Sequence, residues 1–157
     1  QARDLKQLGI PLIFDPGQVV TEYQKADIIE MLELADYVII NTHEFEVIRA
    51  NSYLSVEAIC TRVSEVVVTH GASDVEVLHR DGRTLVAPIK EMPIVDVTGC
   101  GDAFRAGYAY GILNNMSLKS RAEFGCVMAM LNIQTRHTQN YRTSLEEVLF
   151  FKDKYYG

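Results

Sequence analysis

The sequence predicts an α/β protein built on a mostly parallel sheet with helices on both faces. Three observations predict it. Short aliphatic or β-branched runs recur at 10–14, 37–40 and 66–69. Between them lie stretches with helical apolar spacing, so strands alternate with helices. One place alone, 75–87, joins two alternating runs through an Asp-Gly turn, which adds a single β-hairpin. No internal repeat, low-complexity segment or linker interrupts the pattern.

The elements follow in order. Residues 1–8 read as the tail of an amphipathic helix, with Ala2, Leu5 and Leu8 on one face. There is no initiator methionine, and a domain rarely starts inside a helix, so the chain is expected to be the latter part of a longer one. The apolar run 10–14 is a buried strand closed by the turn Asp15-Pro16-Gly17-Gln18. Thr21-x-x-Gln24 fits a capping box. Ile28, Ile29, Met31, Leu32 and Leu34 form the helical stripe behind it, ending near Ala35. A second strand, 37–40, leads to Asn41-Thr42-His43-Glu44, which opens a helix towards Asn51. Asn41 can cap that helix with Glu44 completing the box. Polar side chains at the C-terminal end of a parallel strand also lie where α/β sheets bind ligands.

Ser55 caps a helix over 56–64, and the β-branched strand 66–69 ends in the loop His70-Gly71-Ala72-Ser73-Asp74. After the hairpin, the proline-bearing segment 92–95 is read as extended and runs into a helix over 104–115. Ser117 caps a long helix ending around Gln134, whose small and apolar residues, Ala122, Gly125 and Ala129 among them, suit close packing on the sheet. Ser144-x-x-Glu147 caps the last helix, to about Tyr155.

The stretch Asp96-Val97-Thr98-Gly99-Cys100-Gly101-Asp102-Ala103-Phe104-Arg105-Ala106-Gly107 carries the chemistry. Its glycine pair allows a tight turn into a helix and leaves N–H groups pointing outward at the positive end of the helix dipole. Such a place suits a phosphate or a developing oxyanion. It is not a P-loop, since no lysine follows the glycines. Nor is it a dinucleotide fingerprint, since Phe104 stands where the third glycine would be. Two readings remain: Asp102 as an ordinary helix cap, or Asp102 as the base for a hydroxyl beside a bound phosphate.

Asp96-x-Thr98-Gly99-x-Gly101-Asp102-x-Phe104 resembles the C-terminal signature of the ribokinase-like (PfkB) carbohydrate and nucleoside kinases. The longer form, through Gly107, looks most like bacterial kinases of the adenosine-kinase kind. The resemblance spans nearly all of the chain but only the C-terminal half of the family fold, a three-layer αβα arrangement. It implies Asp102 as catalytic base and the backbone of Gly99, Cys100 and Gly101 as anion hole, although alanine is more usual than cysteine at 100. Arg105 is a candidate substrate contact. The Asp-Pro turn implies Asp15 near the nucleotide phosphates. Asn41 and Glu44 match the family's N-x-x-E motif, associated with water-mediated Mg²⁺ and phosphate contacts. Thr69 and Gly71 match its T-x-G-x-x-G nucleotide loop, with Asp74 where a glycine is usual. Asn132 and His137 fall on the helix end and loop that border the adenine pocket.

The resemblance therefore implies phosphoryl transfer from ATP, with Mg²⁺, to a primary hydroxyl of a sugar or nucleoside. Adenosine is favoured, and ribose and fructose-type sugars are the alternatives. The full-length parent is a candidate homodimer. In the family the acceptor site and lid come largely from the N-terminal half, so this chain alone is expected to be weak or inactive. The rival reading is an inactive nucleotide-binding fragment or degenerate kinase.

Composition bounds the rest. With 157 residues, 48% hydrophobic, the chain can bury one core. A net charge of −6 argues against a general nucleic-acid or anionic-membrane surface. No apolar run reaches transmembrane length and no signal-peptide pattern opens the sequence, so the expected location is the cytoplasm. Cys60, Cys100 and Cys126 lack C-x-x-C spacing and read as free thiols. A helix N-terminus can depress a thiol pKa, which would make Cys100 the reactive one. The four histidines are scattered, with no H-x-x-x-H pair for zinc.

Overall fold

Parallel pairing aligns Tyr37–Asn41 (β2) with Glu65–Thr69 (β3) rung for rung, from Tyr37 opposite Glu65 to Asn41 opposite Thr69. The computed structural model describes residues 1–157. It divides into two compact units, Gln1–Leu85 and Val86–Gly157.

The first unit begins with a short helix, Ala2–Gln7 (α1), and the strand Ile13–Phe14 (β1), which pairs parallel with β2. Between these strands come a 3-10 turn, Gly17–Glu22, and the helix Lys25–Leu34 (α2). Thr42–Ser52 (α3) and Val56–Cys60 (α4) connect β2 to β3. Val75–His79 (β4) then pairs antiparallel with β3, and Gly82–Val86 (β5) closes the order β1-β2-β3-β4-β5. The sheet is thus mixed: parallel in its first three strands, antiparallel where β4 joins. The expected hairpin is present, tightened to a turn at Arg80-Asp81. Val38, Ile40, Val66 and Val68 face a core shared with Phe14, Ile28, Leu32, Ile48 and Ile59. The residues that alternate with them, Ile39, Val67 and Val77, are buried too, so both sheet faces are covered.

Three expectations shift here. The expected strand 10–14 shortens to its last two residues. The capping box moves from Thr21 and Gln24 to Gln24 and Asp27, whose Oδ2 accepts from the Gln24 amide at 2.9 Å. Thr21 is consumed by the 3-10 turn, and a carboxylate is the better acceptor at the positive end of a helix. The helix behind Ser55 stops at Cys60, although Ser55 Oγ does cap it, accepting from Ala58 N at 3.2 Å.

The second unit consists of the helices Cys100–Leu113 (α5), Leu118–Ile133 (α6) and Leu145–Tyr156 (α7). Ser117 and Ser144 cap the last two as expected. Segment 92–95 is not a strand. The amides of Val95 and Asp96 both donate to Ile133 O, at 2.8 and 3.2 Å, which stitches the segment to the end of α6. The small residues of α6 serve α5. A Cβ on Gly125 would lie 2.7 Å from the Phe104 ring, and one on Gly107 would lie 2.8 Å from both Met128 Cγ and Phe124 O. The expected role in sheet packing is therefore corrected: at Gly125 the missing side chain makes room for an aromatic of the neighbouring helix. Stacking of Tyr110 on Phe124, centroids 4.9 Å apart, extends the same contact. Next to Phe124 on α6, the buried Glu123 carboxylate reaches Lys152 Nζ of α7 at 2.9 Å.

Candidate active site

Local chemistry positions the candidate residues, which fall into two groups, one within each unit. In the first, the C-terminal ends of β2 and β3 bring Asn41 level with Thr69. Asn41 caps α3 reciprocally: its Oδ1 accepts from Glu44 N at 2.9 Å, and Glu44 Oε2 accepts from Asn41 N at 2.8 Å. One oxygen of each side chain is thus committed to the helix end, and Glu44 is buried while Asn41 is exposed. Thr69 Oγ1 donates to Ile40 O at 3.4 Å, tying the two strand ends together. Gly71 follows at φ +62, a backbone conformation that favours glycine. Asp15 does not join this rung. Phe14 is level with Val38, so Asp15 lies short of Asn41, and its Oδ1 accepts from Gly17 N at 3.1 Å to shape the turn.

Sequence reasoning missed a line of polar side chains at the same edge. Thr42 Oγ1 lies 2.8 Å from His70 Nδ1, His70 Nε2 lies 3.7 Å from Glu76 Oε2, and Arg83 Nη1 donates to Glu76 Oε1 at 3.2 Å. The signal was present: Thr42 and His70 are the residues next after the paired Asn41 and Thr69.

In the second unit, Gly99 sits at φ +80 as the N-cap of α5. A Cβ there would also come within 2.9 Å of Thr138 Cβ, so both conformation and space call for glycine. The Cys100 amide donates to Val97 O at 3.2 Å, and the first helical bond runs from Ala103 N to Gly99 O at 2.9 Å. The amides of Gly101 and Asp102 lie in the first turn, ahead of that ladder. Among the expected donors, Cys100 is therefore already engaged, while Asp102 adds an amide that the motif reading did not name. The Asp102 side chain is 73% exposed, and its Oδ1 accepts from Arg105 Nη2 at 2.8 Å. Arg105, the candidate substrate contact, thus stands beside the carboxylate.

Burial pushes the Cys100 thiol above its usual range. The expectation of a depressed Cys100 thiol is corrected in direction, and desolvation by burial is the cause.

Asn132 is fully buried at the end of α6. Its Nδ2 donates to Thr138 O at 3.1 Å, and its Oδ1 meets no donor. It holds the 134–138 loop from beneath, so its expected contact with a nucleotide would run through that loop. His137 is exposed on the loop at φ +69. The residue that sequence reasoning left without a role is Asp96. Its Oδ2 accepts from His137 N and its Oδ1 from Thr98 N, both at 2.9 Å. These bonds, His137 first, hold its carboxyl down at about 2.

A shallow groove of about 590 Å³ along α1 and α2 is lined by Arg3, Lys25, Ala26, Ile29, Glu30 and Glu33. It contains none of the candidate residues and is crossed by the Arg3–Glu30 ion pair. The candidate residues lie instead at the strand ends and at the start of α5.

A sequence profile of the pfkB family carbohydrate kinases matches residues 1–144. The chain belongs to that family. A ribokinase from Lactococcus lactis is 31% identical to this pfkB chain over 149 residues, covering 94% of it and 47% of the relative. A nucleoside kinase from Methanocaldococcus jannaschii is 28% identical over 138 residues, covering 87% and 45%. Among solved structures, the Burkholderia thailandensis nucleoside kinase in complex with inosine superposes with a TM-score of 0.95 at 30% identity, over 99% of this chain and 52% of that one. The fold is the expected ribokinase-like αβα fold. The pfkB chain spans about half the length of the curated relatives it matches.

Proposed function

We propose that this chain carries the nucleotide-binding and catalytic part of a kinase that moves the γ-phosphoryl group of ATP to a primary hydroxyl of a nucleoside or sugar. The observation that carries the reading is the start of α5: an exposed carboxylate, Asp102, in the same turn as first-turn amides that precede the helical ladder. The acceptor oxygen forms a bond to the γ-phosphorus, the bond to the ADP oxygen breaks, and Asp102 takes the hydroxyl proton. The Gly101 and Asp102 amides, with Gly99 shaping the turn and the helix dipole behind them, stabilise charge on the transferring group. Cys100 contributes through the turn that its amide closes.

Mg²⁺ belongs to the substrate in this reading, arriving with ATP. No three His, Cys, Asp or Glu side chains are grouped to hold a metal ion. Asn41 and Glu44 each keep one oxygen in the helix cap, which suits contact through water, the mode magnesium commonly keeps. Thr69, Gly71 and His137 line nucleotide-side backbone, Asp15 shapes the turn after β1, and Asn132 supports the loop. The names of the relatives favour a nucleoside; the motif resemblance puts adenosine first, with ribose or fructose-type sugars next. The acceptor subsite and lid are assigned to the portion of the relatives that residues 1–157 do not span. A cytoplasmic location fits this reading; no helix is long and apolar enough to cross a membrane.

The test is a panel of nucleosides, inosine included, and sugars with ATP–Mg²⁺ on the full-length polypeptide, alongside Asp102→Asn. Turnover should fall by ~10²–10⁴ with little change in ATP affinity. Near-normal turnover in Asp102→Asn would refute the base. The second reading, an inactive nucleotide-binding module, draws on the half-length match. Turnover by residues 1–157 alone would reject it.

A further inference from the structure

We propose that Arg105 is a further catalytic residue: its guanidinium donates to the oxygens of the γ-phosphoryl group during transfer, and to Asp102 from the same planar fork. This rests on the kinase reading above, and it assigns Arg105 to the phosphate donor rather than to the acceptor.

Helix geometry sends the side chain there. Side chains on an α-helix lean towards its N-terminus, so a long one in the second turn reaches back over the first. The same-face neighbours of Arg105 in that turn, three and four residues before it, are Asp102 and Gly101. Both are touched. Nη2 donates to Asp102 Oδ1 at 2.8 Å. A Cβ on Gly101 would stand 3.2 Å from Nη1 and 3.7 Å from Cζ, so the guanidinium lies against the bare backbone of the turn. Gly101 has no positive φ to explain it, unlike Gly99. Its missing side chain leaves room for the guanidinium.

The charges at this turn call for an anion. The start of α5 is the positive end of a helix dipole, where a cation is unfavourable and an anion is favoured. Arg105 adds a full positive charge at that end, and Asp102 sets one negative charge against it. In the reaction the acceptor oxygen bonds to the γ-phosphorus, the bond to the ADP oxygen breaks, and the hydroxyl proton passes to Asp102. Asp102 is then neutral, so the guanidinium and the helix end lose their carboxylate counter-charge. The negative charge they face is now that of the phosphoryl oxygens. Five N–H donors in a rigid fork suit contact with more than one anionic oxygen, phosphate above all. The attraction therefore grows as the proton moves, which lowers the barrier rather than only tightening binding.

The experiment uses the full-length polypeptide and compares wild type, Arg105→Ala, Arg105→Lys, Asp102→Asn and the double variant of Asp102→Asn with Arg105→Ala. An exposed ion pair of this spacing adds little to stability, so the variants should fold. With ATP–Mg²⁺ and an acceptor, Arg105→Ala should lower kcat by ~10²- to 10³-fold, the scale of one lost oxyanion donor, and leave the KM for the acceptor unchanged. Lysine keeps a point charge without the fork, so Arg105→Lys should recover only part of the loss. Guanidinium ion added to Arg105→Ala should also restore part of it. Binding gives a readout without turnover. ADP–Mg²⁺ with aluminium fluoride, a mimic of the transferring group, should bind Arg105→Ala at least ~10²-fold more weakly, while ADP–Mg²⁺ alone binds as in wild type. The double variant separates two roles. An arginine that only held Asp102 would cost nothing further once the carboxylate is gone, whereas phosphoryl contact predicts a further loss of at least ~10-fold. No further loss in the double variant overturns the proposal and leaves Arg105 a positioning residue. So does unchanged affinity for the aluminium fluoride complex. Should Arg105→Ala not fold, Arg105→Lys carries the same binding comparison, with the same expected direction. Normal turnover in Asp102→Asn overturns the reading beneath the proposal, and the proposal with it.

Discussion

Gly99 is held by two separate demands, and either one is enough to exclude a side chain. At φ +80 an L-residue is strained, at a cost of ~1–3 kcal/mol. Its Cβ would also overlap Thr138. Gly99→Ala is therefore expected to lower the unfolding free energy by at least that range in urea titration and to cut turnover. Gly71 makes the contrast. Its φ of +62 carries the same strain but nothing lies within 4 Å of a Cβ there, so Gly71→Ala should cost only the conformational part. Asp96 adds a pH dependence. Its pKa falls from the usual 3.8 to about 2 on folding, so its contribution is complete above about pH 4 and fades as pH falls towards 2. The Thr98 and His137 amides should lose exchange protection together across that window. At this scale the sequence was readable where a motif carried the residue, as at Gly99, Asp102 and Asn41. Asp96 stood in the same motif without a role, because its partner amide lies 41 residues away and no local pattern announces it. Cys100 misled for a related reason: the helix end is local and visible in sequence, while burial of the thiol depends on what packs over it.

Helix ends and helix contacts were legible to different degrees. Ser55, Ser117, Ser144 and the Asn41–Glu44 box were all readable, because caps satisfy backbone groups within three residues. Segment 92–95 looked extended from its proline and β-branched residues, but the amides of Val95 and the following Asp96 are claimed by Ile133 O. The small residues of α6 pointed correctly to close packing and wrongly to its partner. That contact yields a prediction of its own. Gly125→Ala inserts a methyl against the Phe104 ring, an overpacking that typically costs ~1–3 kcal/mol. For a chain of this size each kcal/mol lowers Tm by about 2–4 °C, a shift measurable by thermal melting. Phe104→Leu in the same background should return part of it, whereas Phe104→Leu alone leaves a void and lowers stability.

For the molecule as a whole, family and fold were legible before any coordinates, because the motif at 96–107 is long and strands alternate with helices. The mixed character of the sheet was less so: the same β-branched runs serve parallel and antiparallel pairing. Net charge gives a further expectation. At −6 the chain should pass through heparin and DNA columns at about physiological salt, where an electrostatic nucleic-acid binder would be retained. Retention would reject the absence of a nucleic-acid partner. One last consequence belongs to the ion pair on α5. Asp102 and Arg105 are one helical turn apart on the same rigid rod. Any swing or tilt of that rod carries carboxylate and guanidinium together, so the pair keeps its spacing wherever the helix moves.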